Sequence, residues 1–413
     1  MAKINPFKAV RPTRDKVALV TTRSYEIYEK QEKGAILKYN PFSFLHILKP
    51  GFKFKKVVSG EKRFKMVRNR YSEFKENHIF IKDDKPVYYL HQKSFEDEVF
   101  WGIIAASDLS DYENNIIKKH EKTLHEREAL FGHYLEVTGF NAEPVLITYP
   151  NNEVLLNIYH KYRSQRAEYE FTTNKKRTHL FWVIDDIDDI ENIRKEFLKM
   201  DAVYIADGHH RTASSLYLKN QKIKQIKSLH KGKEDYNFFM SYMISDSNLK
   251  ISSFDRFVKS LKDLNKEEFL IKLDEYFRIE NLGQQFYKPS KKHHFSMYLD
   301  GEFYKLYLRK NDYKISNPLD ELDPQILFKT ILEPILGIKD LSNNKDIMYI
   351  PEILSQSQLK DKVDSGKYAI GFRLFPVSID QLKAVADANL IMPPKSTYIE
   401  PKLRSGLTIF ELN

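Results

Sequence analysis

The chain contains no cysteine, and this absence excludes several kinds of chemistry. It rules out disulfide bonds, thiolate nucleophiles, and zinc or iron–sulfur sites that depend on cysteine ligands. The chain also has no apolar run of about 18 residues, the length that a membrane helix needs, and residues 1–8 lack the apolar stretch of a signal peptide. These absences predict a soluble protein of the reducing cytoplasm, with no membrane partner.

Glycine-rich nucleotide motifs are also missing. The sequence has neither a Gly-x-x-x-x-Gly-Lys-Ser/Thr loop nor a glycine-rich dinucleotide turn. This disfavours two common nucleotide folds but leaves ATP and ADP open as ligands. With only 14 glycines and 16 prolines, long flexible linkers are not expected.

The length and charge of the chain limit the number of domains and the kinds of partner that it can have. A chain of 413 residues with 42% hydrophobic residues exceeds one ordinary core, which predicts two or three domains. The formal net charge of +10 suits an anionic substrate, although lysines spread along a highly charged chain also serve solubility. Residues 52–56 alternate aromatic and basic side chains, a pattern typical of an exposed strand and, as the alternative, of single-strand nucleic-acid binders.

The first third of the chain is predicted to be mainly β, with one helix. Apolar runs at residues 17–20, 87–90 and 100–106 suit strands. Residues 124–137 carry apolar side chains at a helical period, and Gly139 follows as a stop.

Strands and helices alternate from Pro144 onward, which predicts parallel pairing. The predicted strands are residues 144–149, 179–184 and 202–205, and the predicted helices are residues 152–162, 190–200 and the segment from Thr212. Further elements are predicted at 238–244 and 255–261, and a hairpin at 295–299 and 303–308 turns at Asp300-Gly301.

The fold class is therefore predicted to be mixed α/β. We divide the chain into a β-rich N-terminal region at 1–140, a β/α core at 141–288, and a C-terminal α+β region at 289–413, itself partly β-rich.

One unbroken polar run, Asp207 to Arg211, joins an apparent strand to an apparent helix. A helix start presents backbone N–H groups and the positive end of a dipole, which together attract anions. Gly208 lets the backbone approach a ligand closely, Arg211 can bind two oxygens, and Asp207 can hold a metal ion or accept a proton. The alternative is an ordinary turn with solvated histidines, but five such residues in sequence favour phosphate chemistry.

His120 and Glu121 lie just ahead of the predicted helix at 124–137. A histidine beside a glutamate can supply a general base and its partner. Read alone, Glu121 fits an exposed acid in a charged run better. His120 and His125 are five residues apart, which does not match the spacing of an HExxH zinc pair.

Residues 185–191 are strongly acidic. They could bind a divalent cation, but the pattern fits a helix N-cap with an acidic first turn better.

The stretch at residues 392–407 combines prolines with cationic and hydroxyl side chains, and it is either a mobile tail or a functional loop packed onto the body. We interpret it as a cationic lid over an anionic donor, so deletion of residues 392–413 is predicted to leave a folded protein that has lost serine phosphorylation. Its polar residues include Lys395, Ser396, Thr397, Lys402 and Arg404.

Four segments together resemble one long-uncharacterised bacterial family. They are Asn-Pro-Phe-Lys-Ala-Val-Arg-Pro at 5–12, Lys-His-Glu-Lys-Thr at 119–123, Ala-Asp-Gly-His-His-Arg at 206–211, and Met-Pro-Pro-Lys-Ser-Thr at 392–397. That family is similar to the free-serine kinases of the ParB/sulfiredoxin superfamily, and some members are pyrophosphate-dependent serine kinases. The resemblance spans almost the whole chain and implies a ParB/sulfiredoxin-like catalytic core.

The resemblance also implies roles for individual residues. Glu121 would act on the serine hydroxyl with His120 as its neighbour, and Asp207 would be catalytic and bind Mg²⁺. The predicted phosphate-binding residues are Gly208, His209, His210, Arg211 and Thr212. The predicted substrate-binding residues are Lys119, Thr123, Arg127, Lys395, Ser396 and Thr397.

The chain departs from the family at two places. Many relatives show Pro-Thr-His-Arg where this chain has Ser-Ser-Phe-Asp-Arg at 252–256, and Pro-Tyr-Asp where this chain has Ser-Tyr-Glu at 24–26.

The expected reaction is phosphoryl transfer from pyrophosphate to free L-serine, which gives O-phosphoserine and belongs to serine metabolism and cysteine biosynthesis. Alternatives are ATP or ADP as the donor, a phosphohistidine intermediate on His209 or His210, and a non-enzymatic ParB-like nucleotide or nucleic-acid regulator. No helix-turn-helix stands out, which disfavours nucleic acid as a partner.

Overall fold

The structure, a computed structural model, describes residues 1–23, 28–226, 230–352 and 357–412. The departure at residues 24–26 lies outside these described residues. The strands are β1 (Ile4–Asn5), β2 (Val10–Pro12), β3 (Thr22–Arg23), β4 (Phe80–Lys82), β5 (Tyr88–Phe95), β6 (Glu98–Asp108), β7 (Ile117–Lys118), β8 (Phe140–Asn141), β9 (Val145–Tyr149), β10 (Tyr169–Thr172), β11 (Thr178–Ile184), β12 (Val203–Asp207), β13 (Phe238–Ser245), β14 (Lys250–Ser252), β15 (Phe254–Val258), β16 (Phe277–Gly283), β17 (His294–Leu299), β18 (Glu302–Leu308), β19 (Ile347–Pro351), β20 (Ile370–Leu374), β21 (Tyr398–Glu400), β22 (Arg404–Ser405) and β23 (Phe410–Glu411).

Helices separate many of these strands, so the fold is mixed α/β as predicted. The α-helices are α1 (Val17–Val20), α2 (Lys30–Tyr39), α3 (Leu45–Leu48), α4 (Gly60–Glu76), α5 (Leu109–Glu113), α6 (His125–Thr138), α7 (Glu153–Arg163), α8 (Ile187–Leu198), α9 (His209–Ile226), α10 (Lys266–Asp274), α11 (Asp323–Leu327), α12 (Gln358–Asp364) and α13 (Ile379–Asp387).

The chain forms two compact units. Unit 1 comprises Met1–Lys119, Thr123–Leu249 and Pro401–Asn413, and unit 2 comprises His120–Lys122 and Lys250–Glu400. These units do not coincide with the predicted regions 1–140, 141–288 and 289–413, because the main sheet of unit 1 draws strands from both of the first two regions.

The main sheet of unit 1 has the strand order β10-β11-β5-β6-β13-β9-β12-β7, and β1 pairs with β6. Among the strands from Pro144 onward, the predicted parallel pairing is found for β13 with β9, but it is wrong for β12 with β9, which are antiparallel. Two neighbours come from the N-terminal third: β7 is parallel to β12, and β6 is antiparallel to β13. Alternation along the chain did not reveal this, because the hairpin of β5 and β6 enters the middle of the sheet from the N-terminal third.

Apolar side chains of α7 and α8 cover one face of this sheet. Leu155 and Phe197 are completely buried there against strand residues such as Ile147 and Ile205. Asp186 is the N-cap of α8, and its side chain accepts a hydrogen bond from the Asp189 backbone N–H, so the N-cap interpretation of the acidic stretch is confirmed.

Helices α6 and α9 pack together in unit 1 at a close approach. A Cβ on Gly132 would lie 2.5 Å from Tyr217 Cδ1, so only glycine fits at this point of α6. Helix α6 ends at Gly139, whose φ of 77° is left-handed, and this stop is confirmed.

Unit 2 contains a sheet of order β16-β18-β17-β20-β15-β19 and the separate pair β14-β21. Arg373 on β20 donates to both carboxylate oxygens of Asp255 on β15, at 2.8 and 2.6 Å. The predicted hairpin is confirmed as β17 and β18, with Asp300 and Gly301 in the left-handed region.

The N-terminal third is more helical than predicted. Residues 17–20 form helix α1 rather than a strand, because burying Val17 and Val20 places them on one side of a single turn. The expected exposed strand at residues 52–56 is also wrong, since Pro50–Phe54 forms a 3₁₀ helix. Helices α2 and α4 occupy much of the intervening chain.

The C-terminal end of the chain is packed rather than mobile. Ile409 is completely buried and exchanges backbone hydrogen bonds with Val10 at 2.8 and 2.9 Å. Strand β22 pairs with β3, and β23 pairs with β8. The prediction that residues 392–413 can be removed from a folded protein is therefore wrong, because residues 401–412 supply strands and core side chains to unit 1.

Candidate functional site

The polar run begins at the end of β12, where the strand is irregular. Pairing with β9 shifts between Ile205 and Asp207, so Ala206 is an extra residue opposite the partner strand. A β-bulge of this kind bends a strand and changes the direction of the next side chain. Asp207 emerges from the bulge with 42% of its side chain exposed, whereas Val203 to Ala206 are buried.

Gly208 makes the sharp connection from β12 to α9. Its φ is +107°, and a Cβ there would lie 3.1 Å from Arg211 Nε and Nη2. The backbone N–H groups of Arg211 and Thr212 donate to the Gly208 carbonyl at 2.9 and 3.1 Å, which starts the helix. The left-handed φ therefore favours glycine, and a Cβ would also crowd the Arg211 guanidinium.

Two cations flank the Asp207 carboxylate. Lys402 Nζ lies 3.2 Å from Asp207 Oδ2, and Arg211 Nη2 lies 3.6 Å from the same oxygen. All three side chains are partly exposed, so an anion in solvent can reach the two cations. The sequence prediction brought Asp207 and Arg211 together, and it placed Lys402 in the cationic stretch over the donor, but it did not identify Lys402 as the partner of Asp207.

Arg211 makes a second set of contacts through Nη1, the guanidinium nitrogen that does not face Asp207. Its Nη1 donates to the Pro144 carbonyl at 2.8 Å and lies 3.4 Å from Glu143 Oε2. The other Glu143 oxygen accepts a hydrogen bond from the Ser405 hydroxyl. Glu143 and Ser405 were not predicted as site residues, and in sequence neither stands apart from other polar loop residues.

The remaining residues of the run lie within the first turn of α9. His209 and Thr212 are buried, and His210 is half-buried. The Thr212 hydroxyl lies 3.4 Å from the Gly208 carbonyl, and the Ser214 hydroxyl donates to the His210 carbonyl at 2.6 Å. Hydroxyl groups thus fix the geometry of this helix start.

Three further predicted residues lie in unit 1 near the start of α6. Lys119 Nζ sits 5.3 Å from the centre of the Tyr112 ring, and the Thr123 hydroxyl donates to Glu128. Arg127 is exposed on the first turn of the helix. Their substrate-binding roles stay predictions.

Within unit 2, the His-Glu pair meets the C-terminal motif. The Met392 backbone N–H donates to the His120 carbonyl at 2.8 Å. His120 is completely buried, whereas Glu121 is half-buried. The segments at residues 119–123 and 392–397, which the sequence analysis connected only through the family resemblance, are therefore in contact at His120 and Met392.

Arg256 organises the same motif in unit 2. This buried side chain donates from Nη2 to the Lys395 carbonyl at 3.1 Å and from Nη1 to the Phe254 carbonyl at 2.7 Å. Burial lowers the pKa of Arg256 to about 10. The sequence signal that could have identified it is a pair of charged residues, Asp255 and Arg256, between aromatic residues of one strand.

The lysine, serine and threonine of the C-terminal motif differ in exposure. Lys395 is exposed, has a left-handed φ of 57°, and places Nζ 5.5 Å from the centre of the Phe254 ring. Ser396 is buried and donates to the Pro393 carbonyl at 2.6 Å, and Thr397 is half-buried.

The N-terminal motif lies elsewhere in unit 1. Asn5, Pro6, Phe7 and Lys8 line a cavity of about 490 Å³ together with residues that include Lys82. No residue of the polar run is among those that line this cavity.

Comparison with known protein families identifies one family that matches most of the chain. The family described as "Protein of unknown function (DUF1015)" matches residues 4–325. The chain belongs to the DUF1015 family. No curated protein matches this DUF1015 chain.

Solved structures give weaker similarities. A free serine kinase mutant in complex with AMP is 10% identical, with a TM-score of 0.37 over 74% of this chain and 91% of that chain. SbnI with a C-terminal truncation, from Staphylococcus aureus, is 13% identical, with a TM-score of 0.37 over 74% and 85%. A conserved hypothetical protein from Pyrococcus furiosus is 11% identical, with a TM-score of 0.33 over 74% and 95%.

Within the described residues, no helix has both the length and the apolar character that a membrane crossing requires.

Proposed function

We propose that this protein transfers a phosphoryl group from pyrophosphate to the hydroxyl of free L-serine. The observation that carries the proposal is the position of Asp207 between Lys402 and Arg211, at 3.2 and 3.6 Å, where the start of α9 meets a glycine turn. This arrangement offers cations, helix N–H groups and a carboxylate at one exposed point, which is the set of groups that phosphoryl transfer uses.

The donor would bind at the start of α9. Pyrophosphate carries several negative charges, and phosphoryl transfer spreads charge over the peripheral oxygens of the transferred group. Arg211 can contact two of these oxygens and Lys402 can neutralise a third. Binding of the donor would then exchange the ion pairs of Asp207 for contacts with phosphate.

Asp207 would hold Mg²⁺ once the donor is in place. Mg²⁺ in proteins is often bound by one or two carboxylates together with substrate phosphates and water. A partly exposed carboxylate at the end of β12 fits that pattern. The ion would supply charge neutralisation on the phosphate oxygens.

Glu121 would orient or deprotonate the serine hydroxyl, a role that the family resemblance implies. The hydroxyl oxygen forms a bond to phosphorus, the bridging P–O bond of pyrophosphate breaks, orthophosphate leaves, and the hydroxyl proton passes to the glutamate. A positioned base contributes roughly 10²–10⁴ in rate. His120, the neighbour of Glu121, is a candidate positioning residue.

Two alternatives to this proposal are ATP or ADP as the donor and transfer through a phosphohistidine on His209 or His210. We also propose, as extensions, a ParB/sulfiredoxin-like core and a cytoplasmic location.

The test is to incubate the purified protein with Mg²⁺, L-serine and either pyrophosphate, ATP or ADP, and to look for O-phosphoserine by mass spectrometry. The proposal expects the product with pyrophosphate. Product with a nucleotide alone would reassign the donor, whereas no product with any donor would contradict serine kinase activity.

A further inference from the structure

The positive charge of the chain is concentrated in one helical segment of unit 1. Residues 30–76 contain 13 of the 67 lysines and arginines but only four of the 57 acidic residues, so they carry a formal charge of +9 out of +10 for the whole chain. The segment comprises α2, α3, a 3₁₀ turn and α4. Helices α3 and α4 share a core that includes Phe44, Ile47 and Val67. The rest of the chain is therefore close to neutral.

Nearby acidic residues do not balance this charge. Three of the four acids in the segment already pair with a cation, and these are Glu32, Glu61 and Glu73. On neighbouring elements, Glu411 pairs with Lys75 and Lys82, and Glu136 pairs with Lys222. Within the described ranges, six exposed cations of the segment have no carboxylate partner: Lys30, Lys53, Lys55, Lys56, Lys62 and Arg68.

A tight turn between α3 and α4 is fixed at its base. Pro50 and Gly51 are buried, and the Lys56 backbone N–H donates to the Gly51 carbonyl at 3.1 Å, which closes the turn. A Cβ on Gly51 would lie 2.3 Å from the Lys56 carbonyl oxygen, so this close approach needs glycine. Lys55 has a left-handed φ of 53°. The backbone of the turn is thus held in one defined conformation.

Every residue from Phe52 to Val57 is exposed. The apolar members are Phe52 and Phe54, which are 40% and 55% exposed, and Val57, which is fully exposed. Three lysines alternate with them or follow them: Lys53, Lys55 and Lys56. We call residues 52–57 the basic-apolar turn. Large apolar side chains grouped on a surface mark sites of interaction, because their contact with water is unfavourable.

Further cations meet at the base of this turn. The Arg63 guanidinium on α4 donates from Nη2 to the Leu48 carbonyl at 3.4 Å, which places it beside Lys49, the residue that precedes the turn. Burial, followed by the charges of Arg63 and of Lys33 on α2, lowers the pKa of Lys49. Cations from three elements therefore act on one another next to the basic-apolar turn.

We propose that the basic-apolar turn, together with the other exposed cations of residues 30–76, binds the surface of a membrane that contains anionic lipids. Clusters of about four to eight lysines and arginines are attracted to such surfaces. Phe52, Phe54 and Val57 would enter the boundary between headgroups and acyl chains, which removes their apolar surface from water. Charge and apolar exposure thus act at the same place.

Single-stranded nucleic acid is the competing partner, because its binding sites also combine cations with aromatic rings. Bases stack on aromatic faces, but Val57, the most exposed apolar side chain of the turn, offers no ring. A lipid surface would cover all three apolar side chains, whereas stacked bases would cover only the two phenylalanines. The side chains of the turn therefore favour a membrane.

A surface contact of this kind needs no membrane-crossing helix. The sequence prediction of no membrane partner depended on the absence of long apolar runs, whereas a surface contact uses a short apolar segment beside cations. The inference does not rest on the proposed kinase activity, because residues 30–76 include no residue of the polar run, of the His-Glu pair or of the C-terminal motif.

The experiment is co-sedimentation of the full chain with vesicles of phosphatidylcholine alone, or of phosphatidylcholine and phosphatidylglycerol in equal parts. The wild type should bind only the vesicles that contain phosphatidylglycerol. Lys53→Gln/Lys56→Gln should bind them roughly 30-fold more weakly, which corresponds to about 1 kcal/mol per lysine. Phe54→Ser should bind roughly fivefold more weakly, because part of the apolar contact is lost.

Matched controls come from exposed residues elsewhere in unit 1. Lys85→Gln/Lys175→Gln removes the same charge as the lysine variant, and Ile187→Ser removes an apolar side chain that is 78% exposed. Both controls should bind vesicles as the wild type does.

Tryptophan fluorescence gives an independent reading of insertion. Phe54→Trp should show a shift of its emission to shorter wavelength when vesicles with phosphatidylglycerol are added, beyond any change in the wild type. Fluorescence anisotropy with a labelled single-stranded oligonucleotide tests the competing partner. The membrane site would be overturned by absence of vesicle binding, by full binding in Phe54→Ser, or by oligonucleotide binding that is tighter than vesicle binding and is lost in both turn variants.

Discussion

Lys402 Nζ lies 3.2 Å from Asp207 Oδ2, although the two residues are 195 positions apart. The ion pair joins the C-terminal segment of unit 1 to the polar run. It also fixes a lysine beside the carboxylate to which we assign the metal ion.

Replacement of Asp207 by Asn should abolish Mg²⁺-dependent binding of pyrophosphate. The amide keeps the size of the side chain but removes the charge that attracts the ion. Calorimetry with and without Mg²⁺ measures the effect, and Asp201→Asn is the matched control because Asp201 is exposed just before β12. Equal Mg²⁺-dependent binding by both variants would remove Asp207 from the metal site.

Replacement of Gly208 by Ala should lower the stability and distort the start of α9. A residue with φ of +107° and a Cβ 3.1 Å from the Arg211 guanidinium is strained, at a cost of about 1–3 kcal/mol. Thermal unfolding measures this cost. Gly34→Ala is the control, because Gly34 lies in α2 with open space around it, and alanine there should leave the Tm unchanged or raise it. An unaltered Tm in Gly208→Ala would show that the turn does not need glycine.

Replacement of Glu121 by Gln should lower kcat by about 10²-fold or more, because only proton transfer in the transition state is lost. Pyrophosphate affinity should stay unchanged, since this residue is assigned to the acceptor. Glu126→Gln, an exposed residue at the start of α6, serves as the control. Near-normal turnover in Glu121→Gln would return this residue to the role of a solvated surface acid.

Replacement of Ile409 by Ala should destabilise the protein by about 2–5 kcal/mol, because Ile409 is completely buried. Ile187→Ala should cost far less, since 78% of Ile187 is exposed. Denaturant unfolding of both variants makes the comparison. Equal stabilities would mean that the C-terminal segment is a loosely held tail after all.

The stability should decline as the pH falls from about 6.5 towards 3, in part because of His91 and His179. The folded state holds the pKa of His91 at about 3, below its ordinary value of 6.5, so the unfolded chain binds the proton first and unfolding is favoured. The double variant His91→Phe/His179→Phe removes both partners of the 3.0 Å hydrogen bond between the two rings and should show a shallower decline. Identical slopes in unfolding free energy against pH would contradict the neutral, buried state of the pair.

The sequence was most informative where local pattern and local structure coincide. The helix that stops at Gly139, the Asp300-Gly301 hairpin and the β12-Gly208-α9 junction all depend on residues a few positions apart. Turn and capping chemistry acts over that range, so these elements could be predicted.

Long-range relationships could not be predicted in the same way. The β5-β6 hairpin inserts beside β11 and β13, and Ile409 packs against the first strands of the chain. Lys402, Glu143 and Arg256 enter their sites through such tertiary contacts. Nothing in its neighbouring sequence distinguishes Glu143 from a solvated charge. Lys402 was predicted within the cationic stretch at 392–407, but no local pattern identifies Asp207 as its partner. Arg256 lies beside Asp255 between the aromatic residues of strand β15, a pattern that signals buried charges.

The most direct test of the account is ³¹P NMR of wild-type, Asp207→Asn and Glu121→Gln proteins, purified side by side and supplied with Mg²⁺, L-serine and pyrophosphate. A contaminating kinase would be present in all three preparations, so a loss of product in the variants alone excludes it as the source. The account predicts an O-phosphoserine resonance and an equal amount of orthophosphate with the wild type, and neither at a comparable rate with the variants. Orthophosphate without phosphoserine, or phosphoserine at the same rate in all three proteins, would contradict it.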